Sequence, residues 1–262
     1  MAKKRILPFF KIGVDSEQRV LYAISTMKLN LLSINADAKT RKGTAFGVMT
    51  GILYLAPSNE SKVINTCPKA SPGCRIGCLY SAGRGAMSNV RKARIAKTVM
   101  FKNDQTQFLN ITVQNIIALC KKATKANLVA ATRLNGTSDV AWESVLINGK
   151  NVMEINSEHQ FYDYTKRIDR IRKYAAGMMP KNYHLTFSRS ENNDVEVAEA
   201  LALGVNVAVV FAGNTLPATY MGRPVVDSDL HDARFLDPVG VICGLRAKGK
   251  AKRDTSGFVV KG

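Results

Sequence analysis

From Phe46 to Leu245 the chain alternates short β-rich apolar runs with stretches of helical periodicity, which confines it to an α/β fold built on a parallel sheet. Parallel strands need crossover connections, and the intervening helices supply them. Strands are predicted over Phe46 to Leu55, Asn127 to Leu134, Gln160 to Tyr164, Tyr183 to Phe187 and Val205 to Phe211. A short piece at Val225-Val226 and a last strand over Val239 to Leu245 complete the series. Between them, Asn89 to Lys102 reads as a basic helix with Arg91, Lys92, Arg94 and Lys97 on its wet side. Asp104 caps a second helix, in which Leu109, Val113, Ile116 and Cys120 form an apolar stripe. Ser138 is expected to cap a short helix through Trp142 and Val145. Further helices fit Lys166 to Ala176 and Asp194 to Leu203, the latter stopped by Gly204.

Polar clusters choose between a doubly wound sheet and a barrel. Asn135/Thr137/Asp139, Asp163/Tyr164/Lys166, Ser188/Arg189/Glu191, Asn214 and Arg246/Lys248 all follow the carboxyl ends of predicted strands. In a barrel those ends converge on one mouth, whereas a doubly wound sheet gathers fewer of them at one crevice. The expectation is a partial (β/α)6 TIM-like barrel of parallel strands over residues 44–262. Residues 1–43 form an N-terminal extension, read as a cap or a β-hairpin.

A chain of 262 residues with 46% apolar content can bury a sizeable core in one domain. The apolar run Ile6 to Phe10 is too short for a signal-peptide core, and no segment reaches membrane-spanning length, so a cytoplasmic protein without membrane contact is expected. Lys and Arg outnumber Asp and Glu by 38 to 20, a formal charge of +18 that favours nucleic acid or another polyanion as partner.

Three of the five cysteines fall in one segment, CPKASPGCRIGCLYSAGRG, with the spacing Cys67-x6-Cys74-x3-Cys78. An odd number with three clustered is not a disulfide framework. Three thiolates can hold three irons of a four-iron cluster and leave the fourth iron open, or supply three ligands to zinc. Zinc needs a fourth ligand, for which His231 is favoured over His159 and His184. Cys120 and Cys243, in apolar runs, read as core residues.

A strand followed by a three-cysteine loop, with an aromatic beside the last cysteine and βα units after it, resembles the radical S-adenosylmethionine superfamily. The SPGC element, with RLNGTSD, FYDYTK, FSRSEN and GLRAKG, is similar to a bacteriophage protein family over most of the chain from Phe46. The superfamily resemblance implies that Cys67, Cys74 and Cys78 hold a 4Fe-4S iron–sulfur cluster whose open iron chelates S-adenosylmethionine. It further implies that Asn135, Gly136 and Thr137 contact the methionine amino group, Ser188 and Arg189 the ribose or carboxylate, and Tyr80 the adenine. The spacing here is longer than the superfamily's usual C-x3-C-x2-C, and its common Gly-Gly-Glu element has no acidic counterpart.

Asp163, Tyr164 and Lys166 stand where a barrel exposes side chains to substrate, and Tyr or Lys there can move a proton or quench a radical. Gly83-Arg84-Gly85 before the basic helix suits a phosphate, and Arg84, Arg91, Lys92, Arg94 and Lys97 can track a nucleic-acid backbone. The acidic cluster Asp227, Asp229, Asp232 with His231 is a second candidate metal site for phosphodiester hydrolysis. No G-x-S-x-G elbow, Walker-type loop or HExxH helix is present. Two functions of different class follow: a radical S-adenosylmethionine-like iron–sulfur enzyme acting on a nucleic-acid-related substrate, or a non-enzymatic nucleic-acid-binding protein with the same cysteines on structural zinc.

Overall fold

In the computed structural model, which describes residues 29–35 and 37–261, Leu31–Gly262 forms one compact unit. The expected cap or hairpin falls largely on residues outside those described. The strands are β1 (Leu32–Ile34), β2 (Val48–Leu53), β3 (Val129–Arg133), β4 (Leu146–Ile147), β5 (Lys150–Asn151) and β6 (Gln160–Thr165). They continue with β7 (Tyr183–Ser188), β8 (Val207–Phe211), β9 (Thr219–Tyr220), β10 (Arg223–Asp227), β11 (Ile242–Arg246) and β12 (Val259–Val260).

One mostly parallel sheet carries the order β1-β2-β3-β6-β7-β8-β11-β10-β9, and β4 and β5 make a separate hairpin. From β2 to β8 each successive parallel strand joins the same side of its predecessor, then β11 inserts between β8 and β10. Antiparallel β1 and β9 flank the parallel set. β7 pairs only with the first residues of β8, through Phe187↔Val207 and Ser188↔Ala208. β12 pairs with the last residues of β8, through Val259↔Val210 and Val260↔Phe211. Because β11 occupies the whole opposite edge of β8, the C-terminal strand fills the fork where β7 and β8 part.

The helices form where the sequence pattern asks for them. Ser88–Asn103 is the basic helix, and Gln105–Lys125 follows it with the Asp104 carboxylate accepting the Gln107 amide at 2.9 Å. Its Phe108, Leu109, Ile116 and Leu119 pack on the sheet, joined by Phe161, Leu185, Phe187, Val207 and Val209, to make the main core. Helices Ile168–Ala175 and Asp194–Ala202 cross over after β6 and β7. The helix ending at Ala202 stops before Gly204, whose φ of +75° is left-handed. The opposite sheet face carries a smaller cluster of Val48, Ala131, Tyr162 and Ala233 with Phe235 against it.

Two expectations are corrected here. Ser138 caps no helix; its hydroxyl donates to Asn135 Oδ1 at 2.8 Å, and only a 3-10 turn over Trp142–Ser144 follows. The wet face of the basic helix is also narrower than its charges suggest. Arg94 is buried against the rings of Tyr54 and Tyr80, and Lys97 donates to the Leu31 carbonyl at 2.6 Å, while Lys92 stays exposed.

Candidate functional site: the cysteine loop over the strand ends

The cysteine loop leaves β2 and lies across the carboxyl ends of the sheet, held by contacts that its own sequence cannot make. Ser71 caps the short helix Pro72–Ile76: its hydroxyl accepts the Cys74 amide at 3.2 Å, and Pro72 suits the first helical position, where no N–H is needed. The same hydroxyl donates to Glu191 Oε2 at 2.6 Å, and the Gly73 amide donates to Glu191 Oε1 at 2.7 Å. Gly73 is glycine for want of space, since a Cβ there would stand 2.7 Å from Phe258 Cβ. Burial opposes the charge of Glu191, but the bonds from Ser71 and Gly73 outweigh it and hold the carboxyl below its usual range.

Each thiol has its own neighbours. The Cys67 thiol donates to the Thr137 carbonyl at 3.7 Å, the Tyr80 amide donates to Cys78 Sγ at 3.5 Å, and Cys74 packs against the cluster of Ala247, Ala251, Phe258 and Val259. Burial pushes Cys78 up to about 11, and the nearby Cys74 and Cys67 sulfurs add to the rise. Burial likewise raises Cys67, again with Cys74 contributing. Among the described residues no three His, Cys, Asp or Glu side chains converge as ligands of a metal ion.

None of the three histidines is built into this loop. His159 Nε2 pairs with Thr132 Oγ1 at 2.8 Å and its Nδ1 with Cys120 Sγ at 3.3 Å, and burial lowers it to about 4. His184 Nδ1 meets the Tyr174 hydroxyl at 3.2 Å. His231, the favoured zinc partner, packs at a tilt against Phe46 with ring centroids 4.4 Å apart and lies beside Arg234 and Asp237.

The residues expected to contact a cofactor are committed within the protein. Asn135 Oδ1 accepts from Val140 N, Trp142 Nε1 and Ser138 Oγ, while its amide donates to the Val140 carbonyl. A Cβ on Gly136 would stand 2.5 Å from Tyr54 Cδ1 and 2.8 Å from the Leu53 carbonyl. Thr137 donates its hydroxyl to the Leu55 carbonyl at 2.6 Å. The segment therefore staples β2, β3 and Cys67 together. Arg189 binds Asp194 and the Gly257 carbonyl, locking the C-terminal segment across the fork. Tyr80 is buried beneath Arg91 and Arg94.

Lys166 is different. Its ammonium donates to Ser188 Oγ at 2.7 Å and, among the described residues, pairs with no carboxylate. Beside it a cleft of about 370 Å³ is lined by Lys69, Lys166, Ser190, Asn192, Asn193 and Glu196. Lys69 lies between Cys67 and Cys74, so the cleft adjoins the cysteine loop. Lys69 and Asn192 are not singled out by the sequence, although Lys69 lies inside the cysteine segment and Asn192 ends FSRSEN.

Asp163 and Tyr164 point to opposite faces of β6. Asp163 is fully buried, accepting from the Asn135 amide at 2.7 Å and the Tyr183 hydroxyl at 2.8 Å, and burial raises its carboxyl to about 7. Tyr164 lies under Arg133, 4.6 Å from guanidinium to ring centroid, and its hydroxyl has no hydrogen-bond partner among the described residues. On this face Asp232 binds Arg133 at 3.2 Å, Lys39 at 3.4 Å and the Tyr162 hydroxyl at 3.1 Å. Asp227 is gripped by Arg246 at 2.9 and 3.0 Å, and Asp229 by Lys248 at 2.6 Å. That pairing counts against the second candidate metal site at Asp227, Asp229, Asp232 and His231, because each carboxylate is already paired with a side-chain cation and no three such side chains converge there among the described residues.

A mostly parallel α/β sheet with a three-cysteine loop over its strand ends is the class of protein these features define. Residues 28–262 match the family described as Gene product 88, a phage protein family, and the chain belongs to it. No curated protein and no solved structure matches the chain. No helix among the described residues is long and apolar enough to cross a membrane.

Proposed function

We propose that the protein is a radical S-adenosylmethionine-like iron–sulfur enzyme, with Cys67, Cys74 and Cys78 holding a four-iron cluster at the mouth of a partial barrel. The observation that carries the reading is the set of three partly buried free cysteines in one loop beside the strand ends, with Cys67 against the Thr137 carbonyl after β3 and all three histidines engaged elsewhere. Cysteine thiols bind a metal as thiolates, so a cationic guest would be matched by the loss of their protons. A cluster separates its thiolates more than a single ion does and needs only three of them, so the missing fourth ligand suits it and disfavours tetrahedral zinc. One-way winding from β2 to β8 supports the barrel.

Cys67, Cys74 and Cys78 would hold the cluster, which when reduced would supply an electron for the reductive cleavage of S-adenosylmethionine. The protein's own contribution is positional. Glu191 fixes the backbone at Gly73, next to the Cys74 ligand, and Thr137 fixes Cys67 against the end of β2. Lys69 and Lys166 offer positive charge to the cofactor's carboxylate, and Asn192 offers its amide to ribose hydroxyls. These replace Asn135, Gly136 and Thr137, whose polar groups are spent within the fold. The substrate class that suits the basic surface is a nucleic acid.

The test is electron paramagnetic resonance of the anaerobically reconstituted, dithionite-reduced protein with and without S-adenosylmethionine, paired with chromatography for 5′-deoxyadenosine. A cofactor-dependent change of the cluster signal with nucleoside release is expected. A cluster signal indifferent to S-adenosylmethionine would reduce the protein to an electron-transfer or structural role.

A further inference from the structure

The 3-10 turn Gly249–Arg253 packs directly on the cysteine loop. Its Ala251 is buried, and a Cβ on Gly77 would stand 3.3 Å from Ala251 Cβ, while one on Gly249 would stand 2.8 Å from Ala82 Cβ. With Ala251 turned inward, Lys250, Lys252 and Arg253 are left exposed on the outer side. Arg75 on the short cysteine helix and Arg84 beyond Cys78 are exposed in the same neighbourhood. Among the described residues no carboxylate pairs with any of these five.

Of the nearby acids Asp229 is paired with a cation, whereas Glu191 and Asp254 are held by neutral donors and keep their charge. Glu191 is bound to Ser71 and Gly73, and Asp229 to Lys248. Asp254 accepts from the Ser256, Gly257 and Val259 amides. Five exposed cations, set against the carboxylates of Glu191, Asp254 and Glu60, leave an excess of positive charge beside the cysteine loop, while Arg94 and Lys97 of the neighbouring basic helix are drawn inward. Within the same loop two large apolar side chains are open to solvent, Ile76 at 58% and Leu79 at 54%. An isolated apolar pair inside a cationic rim is too small to insert in a bilayer as an amphipathic helix does. It fits unstacked bases, whose faces are apolar and whose phosphates are anionic.

We propose that this rim is a docking surface for single-stranded nucleic acid, with phosphates on Lys250, Lys252, Arg253, Arg75 and Arg84 and bases against Ile76 and Leu79. It builds on the iron–sulfur reading only in making that strand the substrate presented to the cysteine loop. Binding itself needs no cluster.

The experiment is fluorescence anisotropy of a labelled single-stranded oligonucleotide across a salt series, using the full chain purified with and without cluster reconstitution. A K250E/K252E/R253E variant is set against K121E/K122E/K125E, an equal charge change on exposed lysines of the helix Gln105–Lys125. The rim variant should bind roughly tenfold or more weakly, with the slope of log affinity against log salt reduced by about 2. The control should change affinity less than about threefold, since only the unscreened general field is altered. An Ile76→Ser/Leu79→Ser variant should lose affinity while keeping the salt slope. Equal losses in rim and control variants, stronger binding to duplex than to single strand, or tighter binding to phosphatidylserine vesicles than to the oligonucleotide would each overturn the proposal. Rim-dependent binding by protein that takes up no iron would sustain it while defeating the iron–sulfur reading.

Discussion

Glu191 holds Gly73 across 118 residues of chain, accepting its amide at 2.7 Å from the loop that follows β7. This contact sets the height of the cysteine helix above the sheet, and Ser71 reinforces it through the other carboxylate oxygen. Glu191→Ala removes two charge-assisted hydrogen bonds, each of which contributes about 1.5–3 kcal/mol. The expected result is local opening of the loop, read as faster tryptic cleavage after the exposed Lys69 and Arg75 with little change in the global unfolding midpoint. Unchanged cleavage would show that the loop is held by other means.

Asp163 predicts a pH dependence. Its folded-state value of about 7 lies above the ordinary 3.8, because burial penalises the carboxylate. The proton therefore binds the folded protein more tightly than the unfolded one. The stability it contributes is complete below about 4 and is lost as pH rises through about 7. Urea unfolding of the native protein should show this decline, with a slope of up to about 1.4 kcal/mol for each pH unit, and Asp163→Asn should flatten it. An identical pH profile in the variant would place the titration elsewhere.

Asp232 works in the opposite sense. Burial opposes its charge, but Arg133, Lys39 and Arg234 outweigh it and bring the carboxyl down to about 2. Its stabilisation is present above about 4 and is lost as pH falls through about 2. Asp232→Asn leaves Arg133 without its closest counter-charge and should cost about 3–5 kcal/mol in urea unfolding at neutral pH. A cost below about 1 kcal/mol would mean that the interior cations find other compensation, as exposed pairs do.

Much of the sheet was legible because its strands are β-rich runs bounded by turns. β2, β3, β6, β7, β8 and β11 lie within or close to their expected spans, and Asp104 caps its helix as its position before an apolar stripe suggests. The two-residue strands β9 and β12 carry no readable periodicity, and β12 exists only because β7 and β8 part and leave an edge open. Ser138 failed as a cap because Asn135, with three acceptor contacts on one oxygen, organises the same loop more strongly. Arg94 resembled a solvent-facing charge because its companions, Tyr54 and Tyr80, are distant in sequence.

The cysteine cluster was visible from spacing alone, since all three thiols fall within one loop. Their partial burial was not, because it depends on Thr137, Phe258 and Ala251, which arrive from loops and a 3-10 turn distant in sequence. The same holds for Asn135, Gly136 and Thr137, which looked like ligand contacts and serve as staples. Short polar residues after a strand suit either role, and only the neighbours decide.

Iron and acid-labile sulfide analysis after anaerobic reconstitution, with visible absorption recorded on the same sample, tests the central claim most directly. The native chain should carry about four irons and four sulfides with a broad brown absorption, and a Cys67→Ala/Cys74→Ala/Cys78→Ala variant of equal helical content should carry neither. One zinc per chain without a chromophore, or a colour that survives the triple substitution, would contradict it.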